Sequence, residues 1–581
     1  MHPTIHTLMG RGYDANPSLA LIVKGQVFLF NAPPLVYRAF LDSNISNQNI
    51  KATFVTNCTP QCISGYVHLL FDNFYGETTN LTIHAPKDFL QYFCTNPEIL
   101  KSKIVNPKVL SNYESPTFQV RSIELSKSLS YVADIHYTES IIDQSKLNKL
   151  GIAKGFWIGQ LRKTGKANVD GKDITFNDVF STLELKYKIL FVDIQKETDI
   201  QILHDSIPDF SIFDMIVHFT PQGLLNDAYF NSFPEKVKNF CFCEDAVIML
   251  EKAAAVYSVH SKCDLNLFPL LPSGIKRHLK LPPHFVSLSS KDIIKFETME
   301  INKPEETQII ESSLPCFSNY ALTFLGTSSG FQTAYRSVSG ILLHLNNNGF
   351  VILDCGNGFY QQLRRKYGPT NALFVLQHLK CIWISHRHSD HVLGIIDILD
   401  ERCRISNNKV ILACDELVKN EIALKERAFN TDFKIKYVNR AQPISINDYV
   451  IDSVPVTHCE NSMGCVITLN NGYRIGYTGD MFDDGAYLQG VGKCNLLISE
   501  GTYANNKVHN CKKYNHMTMS QALNLQESLG AEYLIMVHAS ASLPTHELNI
   551  RKENAIFAFD YLCIPDDKIN DIFQKIKSIR Y

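Results

Sequence analysis

Apolar residues along the chain gather in short runs that alternate with segments of helical spacing. "IKATFVTNC" (50–58), "KYKILFVDI" (186–194), "LKCIWISH" (379–386), "NGYRIGYTGD" (471–480), "NLLISEG" (495–501) and "AEYLIMVHA" (531–539) are rich in β-branched and aromatic residues and end in polar ones. They predict buried strands. "EDAVIMLEKAAAVYSVHS" (244–261) and "SQALNLQESLG" (520–530) space their apolar residues by three and four, predicting amphipathic helices. The alternation of the two predicts an α/β fold.

The pattern occurs twice. "FVTNCTPQCISG" (54–65) aligns with "WISHRHSDHVLG" (383–394): each is a strand end, a polar loop and a Gly at the same offset. Asn57 falls on His386, Thr59 on His388, Gln61 on Asp390, Cys62 on His391 and Gly65 on Gly394. Upstream, "VFLFNAPPLVYRAF" (27–40) matches "FVILDCGNGFYQQL" (350–363), with Asn31 on Asp354, and Gly10 matches Gly326. Three segments agree in order and spacing. The chain is expected to be two copies of one domain, the first having lost its metal-type residues. A polar, proline-punctuated stretch separates them, giving a first copy over 1–290, a linker over 291–318 and a second copy over 319–581.

Composition adds bounds. At 581 residues, 45% of them hydrophobic and 20% charged, the chain is long enough for two or more packed cores. Its net charge of −2 means that nucleic-acid affinity has to come from a local basic patch. The sixteen cysteines follow no framework spacing. Cys241 and Cys243 lack a second pair, so buried reduced thiols and an intracellular setting are expected. No apolar run is long enough to cross a bilayer, and the first residues lack a secretory or Arg-rich transit pattern. Nucleus or cytoplasm is the expected location, with the mitochondrion left open.

Histidine is scarce, 20 in 581, yet "HRHSDH" (386–391) holds three. In an extended loop after a strand, His386 and His388 point to one side and can bind one ion. Asp390 and His391 follow the turn and can reach a second. His458, Asp480 and His538 each end a strand-like run, and an anionic Asp480 could bridge two ions. Imidazole and carboxylate are zinc donors. Two ions about 3.5–4 Å apart suit a phosphoryl displacement.

These residues resemble the metallo-β-lactamase superfamily and, within it, the long form of tRNase Z, the 3′ tRNA-processing endoribonucleases. The finer matches are "FLGTSSGFQTAYRSVSGILL" (324–343), "ILDCGNGFYQQLRRKYG" (352–368), "SHRHSDHVLGI" (385–395), "YTGD" (477–480), "ISEGTY" (498–503) and "NHMTMSQA" (515–522). The resemblance implies two tandem αββα sandwich domains, the first degenerate, and two Zn²⁺ per active site. One zinc would take His386, His388 and His458, the other Asp390, His391 and His538, with Asp480 between them. Asp390 would also accept the proton of the attacking water. His516, held by Glu500, would protonate the leaving oxygen, leaving a tRNA 3′-hydroxyl and a 5′-phosphorylated trailer. The implied partner is precursor tRNA, with no membrane and no obligate protein partner.

Several positions depart from the family pattern. Met517 stands where the family has Ser, and Ser499 where it usually has His. "VHASASLPT" lacks the usual residues after His538, and "GFQTAYRS" keeps Tyr335 and Arg336 without the usual Pro and Lys.

The stretch 146–172 carries Lys146, Lys149, Lys154, Arg162, Lys163, Lys166 and Lys172 against Asp170, a net +6. By charge alone it is a solvated basic loop. Its five glycines predict a protruding, flexible segment, and it resembles the family's tRNA-gripping arm over about 146–175, with Phe156 following Gly155 where the family has Gly-Pro. On that resemblance Lys154, Arg162, Lys163, Lys166 and, in the other half, Arg336 are the expected RNA contacts. The competing readings are another hydrolase of the same fold, acting on a small phosphodiester or thioester, and a catalytically weak tRNA-binding homologue.

Overall fold

A computed structural model describes residues 2–579 apart from 13–14, 44, 68, 70–81, 90–111, 243, 248–250, 272–273, 278, 302–312, 347–348, 447–448 and 544–547. Among the described residues the strands form four large sheets, two in each copy, and two small ribbons. In the first copy, Ser18–Val23 pairs antiparallel with Gln26–Phe30, which pairs parallel with Ile50–Phe54. In the second, Gly340–Leu345 pairs antiparallel with Gly349–Cys355, which pairs parallel with Leu379–Trp383. A register shift at Val27/Phe28 recurs at Phe350/Val351, so the repeat extends to the irregularities.

Within each copy two sheets stack face to face over an apolar core. Phe30 and Phe191, from opposite sheets, stack at 3.9 Å. Leu353 and Trp383 of one sheet share a buried cluster with Ile475 and Ile498 of the other in the second copy. Alternation explains this. Along a strand, every second side chain enters this core while its neighbours face the covering helices.

Those helices also join the copies. A single apolar cluster contains Val36 and Phe40 of the first copy and Phe359, Leu363, Ile395 and Leu399 of the second. Buried polar contacts cross the same boundary. Asn357 Nδ2 donates to Ser64 O at 2.9 Å, and the Arg38 guanidinium meets Asp560 at 3.3 Å. From the first copy, the helix Glu251–Cys263 also packs on the second, where Lys366 Nζ donates to Tyr257 OH at 2.9 Å.

The structure modifies three local expectations. Residues 244–247 are not helical: they pair antiparallel with 274–277, and the helix begins at Glu251. A ladder partner distant in sequence overrides local helical spacing. The strand Ile293–Lys295 pairs with Thr4–His6, so the first sheet reaches into the stretch assigned to the linker, of which 302–312 lies outside the described residues. The basic stretch is a folded knob rather than an irregular loop. The long strands Leu129–Ile142 and Phe180–Val192 form its stalk. Helices Gln144–Leu150 and Trp157–Thr164 and a ribbon bury Leu147, Leu161, Ala167, Ile174 and Val179 between them. Gly151 and Gly165 cap the two helices at φ 69° and 76°, so these glycines end elements rather than loosen the chain.

The described cysteines are free thiols. Cys241 is buried, and Cys243 lies outside the described residues. No described helix is long and apolar enough to cross a membrane.

Candidate metal centre

The seven predicted ligands meet at one end of the second copy's paired sheets. Each follows a strand: parallel neighbours bring most of these ends together, while His458 follows the antiparallel strand Tyr449–Pro455. Leu379–Trp383 leads to the histidine loop, Arg474–Tyr477 to Asp480, and Tyr533–Val537 to His538. Two donor sets result. In one, donor atoms of His386, His388, His458 and Asp480 all lie within 4.8 Å of one another; in the other, so do those of Asp390, His391, Asp480 and His538. Asp480 belongs to both.

The first set converges through imidazole nitrogens. His388 Nδ1 lies 2.9 Å from His386 Nε2 and 3.0 Å from His458 Nε2. Burial lowers all three pKa values, that of His388 to about 4. Three facing nitrogens cannot all be satisfied by the one or two protons between them. A cation would satisfy them together.

The second set is richer in negative charge. His538 Nε2 lies 3.1 Å from Asp480 and 3.3 Å from Asp390, and His391 Nε2 lies 3.3 Å from Asp480. Burial opposes a charge on His391, yet Asp480, Asp390 and Asp354 raise its pKa well above the ordinary value. The donors therefore fit a divalent metal in chemistry and in placement.

Groups behind the ligands fix their orientation. His458 Nδ1 donates to Asn515 O at 2.8 Å, leaving Nε2 for the site. His391 Nδ1 donates to Asp354 at 2.8 Å, and Thr502 Oγ1 lies 2.8 Å from His538 Nδ1. Asp354 also accepts from the Ser385 N–H and hydroxyl, both at 2.7 Å, and from Tyr477 OH at 2.6 Å. Sequence reasoning missed Asp354, Ser385, Tyr477 and Thr502 as site residues. A signal existed for Asp354, which aligns with Asn31 in the repeat.

Glu500 and His516 stand beside the ligands. Glu500 is fully buried and accepts from Met481 N–H, Met517 N–H, Thr502 OH and His516 Nδ1, the last at 3.1 Å. Burial would lower the His516 pKa, but Glu500 chiefly raises it, to about 9. His516, Glu500 and His538 also lie close enough to offer a third donor group.

The other expected contacts lie apart from this cluster. Lys154, Arg162, Lys163 and Lys166 are exposed on the knob. The Arg162 guanidinium sits 5.3 Å from the centre of the Phe180 ring. Arg336 is half-buried and, with Tyr335 and Tyr257, borders a cavity of about 240 Å³.

In the first copy the corresponding groups line a polar cavity of about 280 Å³ and bond to one another. Asn31 and Asp354 share a positive φ, 58° and 56°. Asn31 accepts the Thr56 N–H at 2.8 Å, as Asp354 accepts that of Ser385. Asp193, buried at the end of Phe180–Val192, accepts from Thr56 at 2.5 Å and Asn57 at 2.7 Å. The Arg11 guanidinium donates to the carbonyls of Phe242 at 2.7 Å and Phe219 at 2.6 Å, and its charge acts on Asp193. Hydroxyl, amide and guanidinium groups thus do the satisfying that a metal would do in the second copy. Charge-assisted bonds of this kind contribute about 1.5–3 kcal/mol each. Arg11→Met is therefore expected to destabilise the protein by about 2–4 kcal/mol with its metal content unchanged. Thermal unfolding with elemental analysis checks this, and an unaltered midpoint refutes it.

A family model described as "Beta-lactamase superfamily domain" matches residues 350–539, the span from the strand Gly349–Cys355 to just past His538. "Ribonuclease Z 2, mitochondrial" of Schizosaccharomyces pombe is 28% identical over 364 residues, 56% of this chain and 52% of that protein. "Zinc phosphodiesterase ELAC protein 2 homolog" of Caenorhabditis elegans is 22% identical over 683 aligned positions, 94% of this chain and 80% of that protein. The match thus spans about half of the first relative's length and four-fifths of the second's. In fold, the chain superposes on a crystal structure of a long-form RNase Z from yeast with a TM-score of 0.74 over 99% of both chains, at 16% identity.

The chain is similar in sequence to ribonuclease Z proteins and shares its fold with a long-form one.

Two of the departures from the ribonuclease Z pattern have defined contacts beside Glu500. Met517 acts on Glu500 through its backbone N–H, while its side chain is buried among apolar neighbours. Ser499 is buried, and its hydroxyl donates to Glu500 O at 3.0 Å. In the stretch after His538, residues 544–547 lie outside the described residues.

Proposed function

We propose that the chain is a zinc-dependent endoribonuclease that removes 3′ trailers from precursor tRNAs. The observation that carries the reading is the pairing of His516 with a buried Glu500 beside a seven-residue donor set. Metal held for stability alone would not need such a pair. The names of the relatives supply the zinc and the ribonuclease activity. The first relative's name supports the mitochondrion as a location, beside the nucleus or cytoplasm expected from the sequence.

Under this reading His386, His388 and His458 hold one zinc and Asp390, His391 and His538 the other, with Asp480 shared. Zinc held there would supply Lewis acidity toward the attacking water and the scissile phosphate. The protein's own groups supply the rest. Asp390, fixed by the Gly330 N–H at 2.7 Å, takes a proton from the water. His516 gives its proton to the leaving 3′-oxygen and is held for that by Glu500. The products are a tRNA 3′-hydroxyl and a 5′-phosphorylated trailer. Incubation with a precursor tRNA, with and without chelator, followed by end mapping, tests this. Other product ends, or cleavage that persists in chelator, would overturn it.

The first copy contributes the knob. Its lysines neutralise backbone phosphates irrespective of sequence. Replacing Lys154, Lys163 and Lys166 with Ala is expected to weaken all precursor tRNAs alike. The slope of log affinity against log salt should fall by up to about one unit per lost contact. A small activated phosphodiester should be hydrolysed at the wild-type rate, and the loss on tRNA should lie mostly in KM. Filter binding across a salt series measures it. An unchanged slope would make the knob a mere solvated surface.

A further inference from the structure

Phe156 is exposed to 104% of its reference area, more than any other large apolar residue described. The rest of the knob treats apolar groups in the ordinary way. Leu147 and Leu161 are fully buried, and Trp157 and Ile158 pack partly against them. Burying a phenylalanine ring is worth about 1.5–3 kcal/mol, which this residue forgoes.

The ring nevertheless has a defined seat. Phe156 caps the helix Trp157–Thr164. The N–H groups of Ile158 and Gly159 donate to the carbonyls of Gly155 and Phe156 at 3.2 and 3.1 Å. The Trp157 indole N–H donates to Ala153 O at 3.3 Å. The turn is thus tied on both sides of the ring. Exposed cations flank it in the chain: Lys154 two residues before, Arg162 and Lys163 in the last turn of the same helix.

We propose that Phe156 is a stacking platform for a nucleobase of folded RNA, presented by the knob while its lysines hold the phosphates. The inference rests on the RNA-binding reading of the knob. The combination of a flat apolar face with surrounding positive charge is complementary to RNA, which offers π faces and phosphates side by side. An acidic protein surface offers the charge without the face. Stacking accepts any base, so it adds grip without sequence demand, as an enzyme acting on many tRNAs requires. Continuous duplex hides its base faces, whereas loops and the corners of folded RNAs display them. Phe156 therefore favours a folded tRNA over a plain helix.

The test uses the full chain with Phe156→Ala, Phe156→Leu and Phe156→Trp, binding a precursor tRNA and an uninterrupted RNA duplex of equal length. The Ala and Leu variants should each bind the precursor about 5- to 100-fold more weakly, and Trp should match or exceed wild type. Duplex binding should be unchanged, and so should the salt slope, because no charge is removed. Thermal midpoints should stay at the wild-type value, since the ring packs on nothing. Wild-type binding by the Ala variant, wild-type binding by the Leu variant, or equal losses on tRNA and duplex would each overturn stacking. The Lys154, Lys163 and Lys166 triple variant separates this failure from that of the underlying reading. If it weakens RNA while Phe156→Ala does not, only the stacking falls. If neither weakens RNA, the knob reading falls with it.

Discussion

Asp390→Ala is expected to abolish cleavage of precursor tRNA while binding stays within a few-fold of wild type. The Asp390 carboxylate is buried, accepts the Gly330 N–H at 2.7 Å and lies 3.3 Å from His538 Nε2 and 3.5 Å from His391 Nε2. Its loss removes an anionic donor and the proposed proton acceptor together. It also leaves a backbone N–H without its carboxylate in a site closed to bulk water. Binding survives because most RNA contact is assigned to the knob, which belongs to the other copy. His388→Ala should behave alike, since its Nδ1 is the meeting point of His386 and His458. Single-turnover cleavage and gel-shift binding, measured side by side, decide the matter. Equal losses of cleavage and binding would contradict the division of labour between the copies.

His516→Ala is expected to slow cleavage by about 10²–10⁴-fold and to leave the zinc content intact, as when a general acid is removed. The pH profile makes the assignment specific. Burial works against the protonated ring, but Glu500, followed by Asp480 and Asp390, raises its pKa to about 9. His516 is then protonated at neutral pH, the form an acid needs. The rate of the chemical step should hold through neutrality and decline as pH rises through about 9, where the proton is lost. Glu500→Gln removes the principal charge that raises the pKa, so the decline should move to lower pH. Elemental analysis of His516→Ala supplies the contrary outcome. Loss of zinc would make His516 a ligand, as its closeness to His538 permits, and would sink the acid role.

Much of the architecture was legible because hydrophobic periodicity is local. A strand buried on both faces is apolar, so "CIWI" and "YLIMV" announce themselves, and a ligand at the end of each is placed by the chain itself. The two-copy plan was legible because backbone demands repeat. Asn31 and Asp354 both occupy left-handed geometry, which short polar side chains tolerate, and Gly65 and Gly394 both meet neighbouring backbone closer than a Cβ allows.

What the sequence alone determined, then, is the α/β alternation, the repeat and the ligand types at strand ends. Sheet order decided the rest, because it brings side chains together from tens to hundreds of residues apart. It put Tyr477 and His391 on one Asp354 oxygen and set His538 between Asp390 and Asp480. It paired 244–247 with 274–277 against their helical spacing. It gave the basic stretch a stalk and a core, turning expected slack into a folded knob. It also carried Arg11 to the carbonyls of Phe219 and Phe242, in the lining of the first copy's corresponding cavity. None of these contacts leaves a mark in local pattern, since a side chain's polarity records that it needs a partner but not which one it will meet.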